Sequence, residues 1–520
     1  MTWKFPRHRR PRVKLITLPW ELEVPTLSLA SIAAVTPPQF DVAIVDLLRE
    51  QLFFDEEVDL VGITASTPRI DAAYALADLY RARGVKVVIG GHHVTALPQE
   101  GLRHADAVVL GEGETSWRRI CEQWLSDPSK VGGIYRDPAP DPGALPQPRV
   151  DLMKIERYGA YYYPIIGSRG CPEACSFCFA KKMTMGYRTY PIAHVLEQIR
   201  RRPKWVKALY FVDDNLAGDP DWTKELFTAL AKQPVPFGMQ VRHEFSKSVD
   251  DLERAAAAGC SLISTGYESV NQRTLDRTGK RALKDEYRET IANVFDAGIL
   301  PSGNWMFGFD WDGPEIFDDT LEFLHSTRLM HSSFTTEIPF PGTGAFKKYK
   351  AEGRLLTECY ARYTGKDSVV VRPLNMSPRE LQRGVRKVAL GFHSPQAALR
   401  RSRLGLKNPK LGRAWPAWQR APALLALNAF QVWQWHYRMV DPLVWLYQRL
   451  VSVNRYRYVS DLMRATNFHE SPHAPAEEAP RRHESESPFF WRGGHKRTRA
   501  AALEPLGHVD APAAAARAAP

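Results

Sequence analysis

The sequence predicts an α/β chain in three parts: an N-terminal doubly wound, Rossmann-like parallel sheet, then a partial (β/α) barrel of the TIM type, then a mainly helical C-terminal extension. Three observations carry this. Short β-branched runs alternate with helical stretches from Val13 to about Trp124, a Pro-rich connector follows at Asp137–Pro148, and strand and helix signals alternate again from about Tyr161 to Pro341. The length of 520 residues allows two or three cores at roughly 150 residues per domain. An apolar fraction of 44% with abundant Trp, Tyr and Phe excludes disorder over the whole chain.

In the first part the expected strands are Val13–Leu18, Asp41–Val45, Leu60–Ile63, Lys86–Ile89 and Ala107–Leu110, with a helix at Pro68–Arg83. Continuous apolar runs such as Val85–Ile89, ending in Gly90-Gly91, suit strands covered on both faces of a parallel sheet. In the second part the strands are Ile165–Ile166, Ala208–Val212, Phe237–Val241, Leu262–Gly266 and Gly303–Phe309. The helices between them are Ile192–Arg201, Trp222–Lys232, Val249–Ala258 and Tyr287–Ala297. Such βα repeats place chemistry at the C-terminal ends of strands. The expected division is 11–140, 155–345 and 346–466, followed by a Pro-, Ala-, Glu- and Arg-rich tail at 467–520 that reads as disordered. No solenoid-period repeat occurs.

Lys and Arg number 70 against 58 Asp and Glu, a net charge of +12. Between 396 and 464 stand twelve basic residues against Asp441 and Asp461, so nearly the whole excess lies beyond the first two parts. Within that region Leu424–Leu450 mixes Phe430, Trp433, Trp435, Tyr437, Trp445 and Tyr447 with Arg438 and Arg449. Such a stretch packs on the barrel or lies against an anionic lipid surface. No run of eighteen uncharged apolar residues suggests a membrane span, and the basic start, interrupted by Pro19 and Glu21, is no secretory signal. The expected location is cytoplasmic, with peripheral contact at the inner face of the membrane as its extension. No nucleic-acid-binding module is recognisable.

The chemistry-bearing motif is Gly170-Cys171-Pro172-Glu173-Ala174-Cys175-Ser176-Phe177-Cys178, a C-x3-C-x2-C just after the first strand of the second part. Three thiolates on one loop can hold three irons of a [4Fe-4S] cube and leave the fourth open. Zinc normally takes four ligands in paired short spacings, and Cys121, Cys260 and Cys359 supply no second C-x2-C.

This motif, with an aromatic before its third cysteine, resembles that of the radical S-adenosylmethionine (SAM) superfamily. A doubly wound module placed before it narrows the resemblance to the cobalamin-binding members, and over the chain to the hopanoid methylase and anaerobic tetrapyrrole cyclase branch. The resemblance implies Cys171, Cys175 and Cys178 as cluster ligands, with Phe177 beside them. It implies SAM contacts at the strand ends bearing Asp213, Asp214 and Asn215, Gln240 and Arg242, and Glu268, with Phe307-Gly308-Phe309 on the last strand near adenine. It also implies cobalamin across Thr64, Ser66 and Thr67, then Gly90, Gly91, His92 and Thr95, then Gly111, Glu112, Gly113 and Glu114. The cobalt-ligating D-x-H-x-x-G loop of the mutases is absent, and Asp46–Glu50 follows the second strand instead.

The implied activity is cleavage of SAM to a 5'-deoxyadenosyl radical and modification, foremost methylation, of an unactivated carbon in a hydrophobic lipid, terpenoid or natural product. An oxidative cyclase acting on a tetrapyrrole is the alternative, and a cobalamin- or redox-sensing protein without turnover is the reading from another class. A methylthiotransferase is disfavoured, because only Cys121 precedes Cys171. The implied partners are a hydrophobic small molecule and a one-electron reductant such as flavodoxin or ferredoxin.

Overall fold

The computed structural model describes residues 9–411 apart from 19–24, 48, 51, 53–56, 159–161 and 366–367. The first sheet comprises β1 (Arg12–Leu18), β2 (Asp41–Asp46), β3 (Leu60–Ala65), β4 (Lys86–Gly90), β5 (Ala107–Val109) and β6 (Gly133–Tyr135), all parallel in the order β2-β1-β3-β4-β5-β6. Five of these strands follow the apolar runs. The sixth, Gly-Ile-Tyr with Ile134 exposed, is a short edge strand without such a run.

Both faces are covered, as the runs require. Leu15, Leu60 and Val88 pack with Leu29, Trp117 and Trp124 from the helices Ser28–Val35 and Glu114–Ser126. Ile16, Val61 and Ile63 pack with Ile70, Leu76 and Tyr80 from the helix Ile70–Arg81. Gly62 makes this close, since a Cβ there would stand 2.8 Å from Leu15 and 3.0 Å from the Trp117 ring. The chain changes direction at β1 and β3, so the carboxyl ends of those strands open the crevice where doubly wound sheets bind ligands.

The second sheet curves through β7 (Tyr163–Ile165), β10 (Leu209–Phe211), β11 (Phe237–Val241), β12 (Cys260–Glu268), β13 (Leu300–Phe307) and β14 (His331–Thr336), neighbours in that order and all parallel. Between β7 and β10 lies a small antiparallel pair, β8 (Ser168–Arg169) and β9 (Arg188–Thr189). Strand β14 corrects the expectation that the strand ending near Phe307 is the last. Its sequence, HSSFTT, holds one large apolar residue and leaves no hydrophobic run to read.

One face of this sheet is apolar. Phe211, Met239, Ile263, Tyr267, Trp305, Phe307 and Phe334 lie in buried clusters with the surrounding helices. By the two-residue strand period, the other face carries Tyr210, Gln240, Ser264, Asn304 and Ser333. There the Asn304 amide donates to Ser264 Oγ at 3.1 Å, and Ser333 Oγ donates to Asn304 Oδ1 at 2.6 Å.

The extension begins with the helix Gly344–Ala351 and continues to the helices Pro378–Phe392 and Pro395–Lys407. Pro378–Phe392 starts on a reciprocal cap, in which Ser377 Oγ accepts from Glu380 N and Glu380 accepts from Ser377 N. Its stripe of Leu381, Val385, Val388, Ala389 and Phe392 buries against Tyr267, Phe307 and Phe334 of the barrel. Most of the basic region 396–464, including Leu424–Leu450, and the tail 467–520 lie outside the described residues. No described helix is long and apolar enough to cross a membrane.

Candidate functional site

The cysteine loop lies at the barrel mouth between β8 and β9. Its backbone is fixed at several points: Ser176 N donates to Thr278 O at 2.9 Å, Ala345 N donates to Ser176 O at 3.1 Å, and Cys178 N donates to Cys175 O at 3.1 Å. The three thiols are unpaired. Burial pushes all of them up, Cys178 to about 11, while Arg242 beside Cys171 and Cys175, and Lys280 beside Cys175, pull the other way. Among the described residues no group of three or more His, Cys, Asp or Glu converges to hold a metal ion. Cubane ligands each take a different iron and need not converge on one point, so this loop with two adjacent cations fits an anionic cluster better than zinc.

Around the loop the strand ends supply polar groups. Arg242 forks onto Glu244 (2.5 and 3.1 Å) and donates to Lys280 O at 2.7 Å. Lys280 Nζ meets Glu268 Oε1 at 3.0 Å, and the Glu268 carboxylate overcomes the burial that would otherwise lower the ammonium's pKa. Glu268 itself sits at φ +65°, a left-handed conformation rare for a non-glycine residue. Gly266 leaves room for this pair, because a Cβ there would stand 2.4 Å from Glu268 Oε1. Gln240 Nε2 reaches Asp214 O at 3.4 Å, and the Asp214 charge acts on Cys171 and Cys178. Buried Asn215 presents an Oδ1 without a hydrogen-bond partner among the described residues.

The first module turns its strand ends to the same mouth. The His92 ring stands edge-on to Phe179 at 5.1 Å. Gly342 fits between Ala96 and Phe179, where a Cβ would stand 3.0 and 3.2 Å from them. Gly111 packs on the Met183 carbonyl, 3.2 Å from an added Cβ. Gly91, at φ +111°, passes so close to β3 that a Cβ would stand 2.8 Å from Ala65 O. Ser66 Oγ is buried there without a hydrogen-bond partner among the described residues. An orphaned hydroxyl and a glycine cradle at the switch crevice fit a large polar cofactor lying across the strand ends.

Two sequence models match this chain: the Radical SAM superfamily over residues 165–324 and the B12 binding domain over residues 13–120. The chain carries a radical SAM domain and a B12-binding domain. It is 27% identical over 361 residues to the bacteriochlorophyllide d C-8(2)-methyltransferase of Chlorobaculum tepidum, covering 66% of this chain and 80% of that one. To the bacteriochlorophyllide d C-12(1)-methyltransferase of the same organism it is 29% identical over 336 residues, covering 62% and 73%. It shares its fold with the cobalamin-dependent radical SAM enzyme OxsB, solved with aqua-cobalamin and SAM, at TM-score 0.58 and 14% identity over 88% of this chain and 84% of that one. The protein is an enzyme whose cofactors are those of its two domains: a [4Fe-4S] cluster, SAM and cobalamin.

The radical SAM domain brings Cys171, Cys175, Cys178, Phe177, Asp214, Gln240, Arg242 and Glu268 around one mouth, and Asn215, next to Asp214, is buried. Other expected residues are placed differently. Asp213 faces backward and accepts from Gly167 N at 3.1 Å, from Ser168 Oγ at 2.6 Å and from Ser168 N; burial raises its pKa to about 7 against those bonds. The Phe307 ring packs on Phe317 at 5.5 Å in the helix-facing core. Phe309, two residues on, meets Phe177 at 5.9 Å. In the B12-binding domain, Thr64, Gly90, Gly91 and His92 stand at the strand ends beside Ser66. Thr67 is spent on His93 (Oγ1 to Nδ1, 3.4 Å), and Thr95 on Gly91 O and Gly111 N. Gly113 precedes the helix Glu114–Ser126 against Ile32. Glu112 and Glu114 form ion pairs with Arg169 and Arg188 of the barrel domain. Sequence reasoning did not find Lys280, Arg169 or Arg188. Only Arg169, adjacent to Gly170-Cys171, carried a positional hint.

Proposed function

We propose that the protein is a cobalamin-dependent radical SAM C-methyltransferase acting on an unactivated carbon of a hydrophobic, ring-bearing natural product. The observation that supports this most is the facing of the two modules: the strand ends of the B12-binding domain and the cysteine loop share one mouth through His92–Phe179 and Ala96–Gly342. The cluster with SAM supplies hydrogen-atom abstraction, and cobalamin supplies a methyl group. The chain's own residues prepare the place. Cys171, Cys175 and Cys178 would hold three irons, with the positive charges of Arg242 and Lys280 offsetting the anionic cluster. Asp214, Gln240 and Glu268 would meet the polar groups of SAM, and Asn215 Oδ1 offers a further acceptor. Phe177 and Phe309 keep water from that side of the loop. Thr64, Ser66, Gly90, Gly91 and His92 would line the cobalamin side.

The reading includes a one-electron reductant and a cytoplasmic location. It also includes peripheral contact with anionic lipid, supported by the helix Pro395–Lys407, which exposes Leu399 and Leu406 beside Arg400, Arg403 and Lys407. Flotation with anionic liposomes tests that contact, and failure to float counts against it. For the activity, the reconstituted protein is incubated anaerobically with methyl-deuterated SAM, reductant and candidate tetrapyrrole and terpenoid substrates. Label carried into a substrate carbon supports methylation. Consumption of substrate to an oxidised, unlabelled product overturns it in favour of the cyclase reading.

A further inference from the structure

Strands β8 and β9 bracket residues 170–187, the segment that holds all three loop cysteines. In this pair Arg169 stands directly opposite Arg188. Like charges opposite one another on antiparallel strands are unfavourable, so the pair alone does not explain two arginines here. The first module does. Arg169 Nη1 meets Glu112 Oε2 at 2.8 Å and Arg169 Nη2 meets Glu114 Oε1 at 2.5 Å, while Arg188 bonds the other oxygen of Glu112. Arg169 Nε donates to Tyr190 Oη at 2.8 Å, and Arg188 Nη1 donates to Pro140 O, in the connector, at 2.7 Å. The Glu112 and Glu114 side chains are only 6% and 7% exposed and that of Arg169 9%. Two cations therefore meet two anions in a largely dry seam whose charges balance only when both modules are in place.

Glu112 lies in the loop that follows β5 and Glu114 opens the helix after it, at the ligand-binding edge of the B12-binding sheet. Arg169 and Arg188 flank the cysteine loop. We propose that these four residues form a clasp that fixes the cobalamin edge against the cysteine loop and thereby sets the separation of the two cofactors. This rests on the proposed function above and makes the four positioning residues, with neither glutamate a cofactor ligand. Arginine suits the task, because its fork spans two carboxylates in one plane.

The test is spectroscopic. In the reconstituted, reduced full-length protein the [4Fe-4S] cluster and cob(II)alamin are both paramagnetic, and a nearby cluster speeds the spin relaxation of the cobalt centre with a steep dependence on distance. The Glu112→Gln/Glu114→Gln variant is expected to keep wild-type iron and cobalamin contents and to lose that relaxation enhancement. An unchanged enhancement with both cofactors bound overturns the clasp. Loss of cobalamin from a variant with a full cluster overturns it too, by making the glutamates ligands. If the double variant does not fold, Arg188→Gln, which breaks one arm, is expected to reduce the enhancement in part, and an unchanged value refutes the proposal. A wild-type protein that retains its cluster but binds no cobalamin instead refutes the functional reading beneath it.

Discussion

Asp213 offers a direct measure of how the barrel holds its cysteine loop. The carboxyl is 4% exposed and accepts from two backbone N–H groups, Gly167 and Ser168, and from the Ser168 hydroxyl, immediately before Gly170-Cys171. Replacing it with Ala strands both N–H groups in the interior. At about 1–3 kcal/mol for each unsatisfied buried donor, the loss is about 2–6 kcal/mol. The comparison belongs near pH 4, at the ordinary value of 3.8 and well below the pKa of about 7 that burial gives this carboxyl, where its contribution to stability is still nearly whole. For a domain of this size about 2 °C of melting temperature accompanies each kcal/mol, so the expected fall is about 4–12 °C. Reconstituted iron content should fall with it, since the loop loses its anchor. Asp213→Asn keeps one acceptor oxygen and should cost about 1 kcal/mol. Because the folded pKa lies above the ordinary 3.8, the stability supplied by Asp213 declines as pH rises from about 4 toward 7, and the gap between wild type and Asp213→Ala should narrow at pH 8. A melting temperature within about 2 °C of wild type near pH 4, with full iron content after reconstitution, would refute the anchoring role.

Cys175→Ala should abolish the brown cluster absorbance after reconstitution, and an unchanged iron count and spectrum would contradict the ligand assignment. Lys280→Met removes a buried positive charge beside Cys175 and should shift the cluster's reduction potential to more negative values in a redox titration; no shift, or a positive one, would oppose that electrostatic role. Buried Glu337 accepts from Tyr349 OH at 2.6 Å, and burial, then Asp310 and Asp312, raises its pKa to about 8. A carboxyl raised above its unfolded 4.5 takes stability away as pH climbs toward 8, so Glu337→Gln, which still accepts from Tyr349, should flatten the pH dependence of urea unfolding between pH 5.5 and 8, and an unaltered slope would refute a protonated Glu337.

The strands that position the site were readable wherever burial on both faces demanded a continuous apolar run, as in Leu60–Ala65. Strands β6 and β14 were not, because an edge strand and a strand with a polar inner face carry no such run. The cysteine spacing announced the cluster loop, since its ligands are local in sequence. Side-chain direction was harder. Asp213 and Asp214 are neighbours, yet one turns back to Ser168 and the other acts on the thiols, a difference set by where β10 ends. Phe307 and Phe309 would share a face on a continuing strand. Gly308, at φ +99° and too close to Leu381 for a Cβ, ends the strand and sends Phe309 to Phe177 instead. Glu112 and Glu114 read as cofactor-loop acids because their partners stand more than fifty residues away, with no pattern linking them.

The most direct test of the central claim is the fate of SAM. Anaerobically reconstituted, reduced wild-type protein is expected to form 5'-deoxyadenosine from SAM, and Cys175→Ala to form none. A cluster-replete wild-type sample that leaves SAM intact would contradict the account.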